Sequence, residues 1–367
     1  MRKSFGFLRI AKEINEKRAF LPDFFKKLEE FDIDIWLEFD YGFKIGFTEK
    51  DYYNANKNIK FASRKEVFSM DYVIVLRAPE NDELKNLKRG AVLISMLHYI
   101  TRERRNLLLK KFGIISFSMD TMLDDDNKRI VVNAYFTAFN GANSALNELE
   151  KKFKNKFIPR TVNVGIIGMG NVGLNVAKAF KELSNMRLKE FKEAYFGMRI
   201  IFLNRSITSN MELFENELKS LDIIVDASTR RDTSEFIINN EMIGILKKDA
   251  VILDITADPY DFEKYPPQVK AIEGIPTGTL DQYVFNENDK IYGEVEKLVC
   301  TDNRRTVVSC NAWPGVYPIP SMKRYGKQML PILKVLINKG YKDLNIKSNI
   351  YYERALYRSS YEFYKKS

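Results

Sequence analysis

Three glycines in the run Gly168-Met169-Gly170-Asn171-Val172-Gly173 directly follow the apolar stretch Val162 to Ile167 and open a segment of helical pattern, Asn171 to Leu183. Glycines at this spacing between a strand and a helix suit a dinucleotide. The first permits a tight turn, the second lets the backbone approach a pyrophosphate, and the third lets helix and strand pack closely. The helix N-terminus then turns its free N–H groups and the positive end of its dipole toward the phosphates. Gly168, Gly170, Asn171, Val172 and Gly173 are therefore candidate cofactor-binding residues. The next strand, Arg199 to Leu203, runs into Asn204-Arg205-Ser206. An acid about 20 residues past the glycines would meet an unphosphorylated ribose. Arginine and serine suit a 2′-phosphate instead, so Asn204, Arg205 and Ser206 point to NADP(H), with NAD(H) the second choice. The first crossover carries an extra charged segment, Arg187 to Phe196.

The chain contains one histidine, His98, just past the apolar run Ala91 to Met96. Open α/β sheets bind ligands at such strand ends, and imidazole exchanges protons near neutral pH, which makes His98 a candidate acid–base group. A packed structural histidine is the alternative. Arg77 closes the buried run Tyr72 to Leu76, and Arg18 precedes a helix opened by Pro22. Two guanidinium groups suit a carboxylate substrate; taken singly, each reads as a surface charge. In Asp254-Ile255-Thr256-Ala257-Asp258 the acids close another strand, either as site residues or as an ordinary cap.

The elements that must hold these residues read as strand and helix in alternation. Ser4 to Ile10, Ile33 to Phe39, Tyr72 to Leu76, Ala91 to Met96 and Gly113 to Ser118 are strand candidates in the first third. A helix with an apolar face of Phe24, Phe25, Leu28 and Phe31 separates the first two, and a Leu- and Lys-rich segment between Leu76 and Ala91 suits another. Asn133 to Phe153 reads as one long helix able to tether two domains, despite Gly141. A second series continues through Leu221 to Asp226 and Ala250 to Ile255, and helix returns from Pro318. The fold expected is α/β, two Rossmann-like domains with parallel sheets and flanking helices, joined by long helices.

Lys and Arg outnumber Asp and Glu by 59 to 49 in 367 residues, a formal charge of +10. The basic residues are interspersed with acids, which describes solvated helix faces and not a nucleic-acid footprint. Cys300 and Cys310 supply neither a disulfide framework nor a zinc cluster, and no metal site is expected. Neither a secretory core nor a bilayer-spanning stretch is visible, so the expected location is the cytoplasm.

Taken in order, these motifs resemble the alanine dehydrogenase, transhydrogenase and saccharopine dehydrogenase superfamily. Glu16 to Pro22 is similar to its N-terminal arginine motif, Phe47 to Tyr52 to its acid-and-tyrosine segment, and Leu97-His98 to its catalytic histidine strand. Asp120 to Gly141 resembles the fungal-type saccharopine dehydrogenases, and the glycine loop with Asn204-Arg205-Ser206 resembles carboxyethylornithine synthase. The resemblance implies that Arg18 and Arg77 hold a substrate carboxylate, that His98 is the acid–base residue and Asp258 a functional aspartate, and that Asn311 lies beside the nicotinamide. It also implies a substrate domain of residues 1–133 plus 310–367 around a dinucleotide domain of residues 134–309. Arg77 stands where the family has a lysine, and because arginine keeps its proton, base chemistry there is lost while carboxylate binding survives. The activity expected is NAD(P)H-dependent reductive amination of a 2-keto acid, or its reverse, with small-molecule amino acid and 2-keto acid substrates, no nucleic acid or membrane partner, and a homo-oligomer as an allowed assembly. The competing expectation is a catalytically impaired NADP(H)-binding regulatory or scaffold protein.

Overall fold

The structure, a computed structural model, describes residues 2–153, 160–191, 197–230 and 232–366. Of the charged segment Arg187 to Phe196, residues 192–196 lie outside that set. The chain forms two compact units, Met1–Asn133 with Pro318–Ser367, and Ala134–Tyr317. It enters the second unit at the start of the helix Ala134–Lys151 and returns to the first at the start of the helix Pro318–Lys339. Residues 310–317 stay with the second unit, because Cys310, Ala312 and Trp313 are buried in its core.

In the first unit the strands are β1 (Lys3–Phe7), β2 (Ile33–Glu38), β3 (Ile59–Ala62), β4 (Tyr72–Arg77), β5 (Val92–Met96) and β6 (Ile115–Ser118), in the order β3-β2-β1-β4-β5-β6. All pairs are parallel. Runs such as Val73-Ile74-Val75-Leu76 are buried on both faces, as a parallel sheet covered by helices on both sides requires. β1 sits where the winding reverses direction, so the C-terminal ends of β1 and β4 flank the switch point at which such sheets bind ligands.

The helix opened by Pro22 is shorter than its apolar pattern suggests. It spans Pro22–Lys26, and the chain turns at Lys27, though Phe25 and Leu28 remain buried. The segment between Leu76 and Ala91 holds only the 3-10 turn Glu83–Asn86.

The second unit contains β7 (Val162–Ile167), β8 (Met198–Leu203), β9 (Ile223–Asp226), β10 (Val251–Asp254), β11 (Val284–Phe285) and β12 (Thr306–Ser309), in the order β11-β12-β10-β9-β7-β8. Four pairings are parallel, and β11 joins the edge antiparallel. Alternate residues of β9 and β10 serve two separate cores. Ile223, Val225, Val251 and Leu253 face one, while Ile224 and Ile252 face the other, as the two-residue period of a strand dictates. The glycine inside the helix Ala134–Lys151 is explained by close approach to the end of β10, an interior strand: a Cβ on Gly141 would lie 2.3 Å from Ile255 Cδ1. Among the described residues no helix is long and apolar enough to cross a membrane.

Candidate functional site

In the second unit β7 leads straight into the glycine loop. Gly168 adopts φ +98°, and a Cβ on it would stand 2.5 Å from Ala227 O; a Cβ on Gly173 would stand 2.1 Å from Gly168 O. Neither position tolerates a side chain. Gly170 differs, since nothing among the described residues lies within 4 Å of its would-be Cβ. Its missing side chain keeps space clear at the exposed start of the helix Asn171–Phe191, whose first intrahelical bond is Leu174 N to Gly170 O at 3.0 Å. The amides of Asn171, Val172 and Gly173 belong to that first turn, where backbone N–H groups have no intrahelical acceptor. A rigid turn with one open glycine at a helix N-terminus fits a pyrophosphate by geometry and by charge.

At the end of β8, Asn204 is the N-cap of the short helix Arg205–Thr208, accepting a bond from Ile207 N at 3.2 Å. Its side chain is thus committed locally, which leaves Arg205 and Ser206 as the exposed polar residues that follow. Asn311 is exposed just beyond β12 and ties its N–H to Gly278 O at 3.0 Å.

Three adjacent strands of this unit end in register on Asp226, Asp254 and Ser309. Asp254 is fully buried and receives Lys270 Nζ at 2.8 Å, Ser309 Oγ at 3.0 Å and Ala257 N at 2.7 Å. Burial pushes its pKa up, but the Lys270 charge and these donors more than reverse this, so Asp254 stays ionised. Asp226, 1% exposed, takes Ser228 N and Oγ on Oδ1 at 3.0 and 2.6 Å, and its Oδ2 lies 3.3 Å from Thr256 Oγ1. Burial and then the Asp254 charge raise its pKa to about 6. Asp258 is exposed two residues past Thr256, with a pKa raised by desolvation and by Asp254.

The first unit gathers side chains at the C-terminal edge of its own sheet. A long arm, residues 8–21, follows β1 and carries Glu13, Glu16 and Arg18. Arg18 is buried and forks onto Glu16, Nε to Oε1 at 2.9 Å and Nη2 to Oε2 at 2.6 Å. Burial alone would raise the Glu16 pKa; the Arg18 bonds outweigh it and hold Glu16 below the usual carboxylate range. Arg77, at the end of β4, gives Nη1 to Glu13 Oε1 at 2.7 Å and lies 3.6 Å from Glu16 Oε2. The two arginines therefore meet through glutamates, a pairing that separations of 2 to 64 residues in the chain do not announce.

His98 follows the neighbouring strand β5, in which Met96 pairs with Arg77. Its φ is +52°, a left-handed conformation that costs a non-glycine residue about 1–3 kcal/mol and clusters at functional sites. Asp120, just past β6, fixes it at two points: His98 N to Oδ1 at 3.2 Å and Nδ1 to Oδ2 at 3.5 Å. Ser118 Oγ in turn donates to Asp120 Oδ1 at 2.5 Å. With Nδ1 turned to the carboxylate, Nε2 is the nitrogen left for a ligand. Desolvation lowers the His98 pKa, Asp120 opposes this, and Arg129, Arg102 and Arg105 lower it further, so the ring is held in its neutral form at neutral pH. Asp120 was not singled out from the sequence as a partner of His98; a carboxylate two residues beyond a strand parallel to the histidine strand is the signal that could have found it.

Residues 9–138 match the alanine dehydrogenase/PNT, N-terminal domain family. Over 94% of its length the chain is 23% identical to the NAD(P) transhydrogenase subunit alpha of Haemophilus influenzae, spanning 67% of that protein. Over 91% it is 24% identical to the alanine dehydrogenase of Staphylococcus haemolyticus, spanning 88% of it. Among solved structures, an L-alanine dehydrogenase superposes with TM-score 0.71 at 17% identity, covering 97% of this chain and 94% of that one. The transhydrogenase from Sinorhizobium meliloti superposes with TM-score 0.66 at 13% identity, covering 98% of each. The chain is thus similar over most of its length to alanine dehydrogenases and to a transhydrogenase subunit, and it shares the fold of the L-alanine dehydrogenase structure.

Proposed function

We propose that this chain is an NAD(P)-dependent oxidoreductase of amino acids, catalysing reductive amination of a 2-oxo acid to an amino acid or opine, or the reverse. The observation that carries this reading is His98: the single histidine of the chain, neutral, oriented by Asp120 and held in a strained conformation one strand from Arg77. The second unit supplies the dinucleotide cradle through Gly168, Gly170 and Gly173. When bound, the dinucleotide supplies or accepts a hydride at its nicotinamide ring. The exposed Arg205 and Ser206 support NADP(H) ahead of NAD(H).

In the oxidative direction His98 Nε2 takes a proton from the substrate nitrogen, and in the reductive direction it returns one. Asp120 holds the ring and stabilises the imidazolium that forms. Arg77 keeps its proton throughout and acts only by binding and orienting charge. Arg18, buried on Glu16, anchors the arm that carries Glu13 toward Arg77. Asp258, exposed in the segment after β10, is the functional aspartate that the resemblance to alanine dehydrogenases implies, and burial and Asp254 raise its pKa.

The substitution His98→Asn tolerates the left-handed backbone and removes the base. It is expected to lower turnover by about 10²–10⁴-fold while sparing dinucleotide affinity; near-normal turnover would remove His98 from the reaction. A second reading, a catalytically impaired NADP(H)-binding regulatory or scaffold protein, draws support from the pairing of Arg18 and Arg77 with Glu16 and Glu13. Saturable NADPH binding with no change at the nicotinamide absorbance band, across amines, amino acids and 2-oxo acids, is the outcome that favours it.

A further inference from the structure

The charges on the long arm do not make the carboxylate receptor that two arginines alone would make. Arg18 and Glu16 are locked together, with 4% and 1% of their side chains exposed. Arg77 and Glu13 form the looser pair at 2.7 Å, with 21% and 8% exposed. Two arginines and two glutamates carry no net charge when all four are ionised. A simple anion on the Arg77 guanidinium sets a second carboxylate beside the largely buried Glu13 and brings no cation with it, which is unfavourable. A ligand that brings both signs meets no such opposition. Its carboxylate can lie on Arg77, whose five N–H donors allow a second acceptor, while its ammonium meets Glu13, so one ion pair becomes two.

We infer that Arg77 and Glu13 together form a subsite for the zwitterionic head group of an α-amino acid, with Glu13 selecting ammonium-bearing ligands against 2-oxo acids. The inference rests on the amino-acid reading of the preceding section, and it adds to that reading the side of the reaction whose ligand this unit prefers and the residue that sets the preference. Glu13 is a specificity-determining residue here and takes no part in proton transfer.

The test is equilibrium titration calorimetry on the full chain with L-alanine and pyruvate, two probes that differ only at C2, with and without oxidised or reduced dinucleotide in the non-reacting combinations. The unmodified chain is expected to bind L-alanine more tightly than pyruvate. Glu13→Gln is expected to weaken L-alanine by about tenfold to a hundredfold and to leave pyruvate unchanged or tighter, so that the order reverses. Glu13→Asp, which keeps the charge, is expected to keep the order. Equal losses for both probes in Glu13→Gln, a preference of the unmodified chain for pyruvate, or binding of neither probe each overturn the inference. Should Glu13→Gln fail to fold, the preference of the unmodified chain and of Glu13→Asp decides alone. Because the readout is binding, its failure is distinct from a failure of hydride transfer, which is read separately as nicotinamide absorbance on the unmodified chain.

Discussion

Asp226→Asn is expected to stabilise the second unit above pH 6 and to leave its stability unchanged near pH 4. The carboxyl is raised from 3.8 to about 6 by burial and by ionised Asp254. The sign follows from linkage. Below 3.8 folded and unfolded chains both carry the proton, and no penalty exists; between 3.8 and 6 the folded chain holds a proton that the unfolded chain has released, and stability falls as pH rises. Above 6 both are ionised and the whole penalty is present. The displacement corresponds to about 3 kcal/mol. An asparagine reproduces the protonated form. Its Oδ1 still accepts from Ser228 N and Oγ, and its amide donates to Thr256 Oγ1, whose hydroxyl continues to Asp254 Oδ1 at 3.0 Å. At about 2–4 °C per kcal/mol for a unit of this size, the unfolding midpoint at pH 8 should rise by about 6–12 °C. Thermal unfolding of unmodified and substituted protein across pH 4–8, followed by circular dichroism, measures the difference. A variant less stable than the unmodified protein at pH 8, or one with an equal gain at pH 4, refutes the picture of an Asp226 whose ionisation is opposed by burial and by a charged Asp254.

Lys270→Met leaves Asp254 buried without its cation and should cost about 3–5 kcal/mol, most of it recovered when Asp254→Asn is added; denaturant unfolding of the single and double variants checks this. Two of the loop glycines should separate cleanly. Gly173→Ala forces a Cβ against Gly168 O and should destabilise the fold by about 1–3 kcal/mol, whereas Gly170→Ala, with open space around it, should leave the melting temperature unchanged and lower NADPH affinity by about tenfold or more. Arg205→Ala should raise the NADPH dissociation constant by about tenfold and spare NADH, since only one cofactor carries the 2′-phosphate; equal losses with both would detach Arg205 from cofactor choice.

The strands around the glycine loop were legible because their hydrophobic runs are long enough to set their own bounds: Val162 to Ile167 is read from sequence with the limits that β7 has. β3 and β12 were not: β3 turns Lys60 outward, and β12, Thr-Val-Val-Ser, is two apolar residues between two hydroxyls. The Pro22 helix was overextended because Leu28 is buried whether or not the helix continues to reach it. In the candidate site the sequence points to the residues with distinctive chemistry, His98 and the arginines, and is silent about the carboxylates opposite them. Glu13, Asp120 and Asp226 acquire meaning only from strand neighbours brought together by the parallel winding, and nothing local in their sequence distinguishes them from solvated acids.

The winding of the first unit has a bearing on stoichiometry. Its strand order is the one that carries nucleotides in other α/β sheets, and β2 even ends in an acid, Glu38, where a ribose would be met. Yet Arg9 and Arg64 occupy that carboxylate, with Arg9 N and Arg64 Nη1 each 2.8 Å from Oε2, and the turn after β1 is a fourteen-residue charged arm, residues 8–21, in place of a glycine hairpin. The one glycine of β1, Gly6, serves packing, since a Cβ there would lie 2.7 Å from Val67 O. Calorimetric titration with NADPH is therefore expected to saturate at one equivalent per chain, because the first unit offers side-chain charge at the place where the second offers backbone amides.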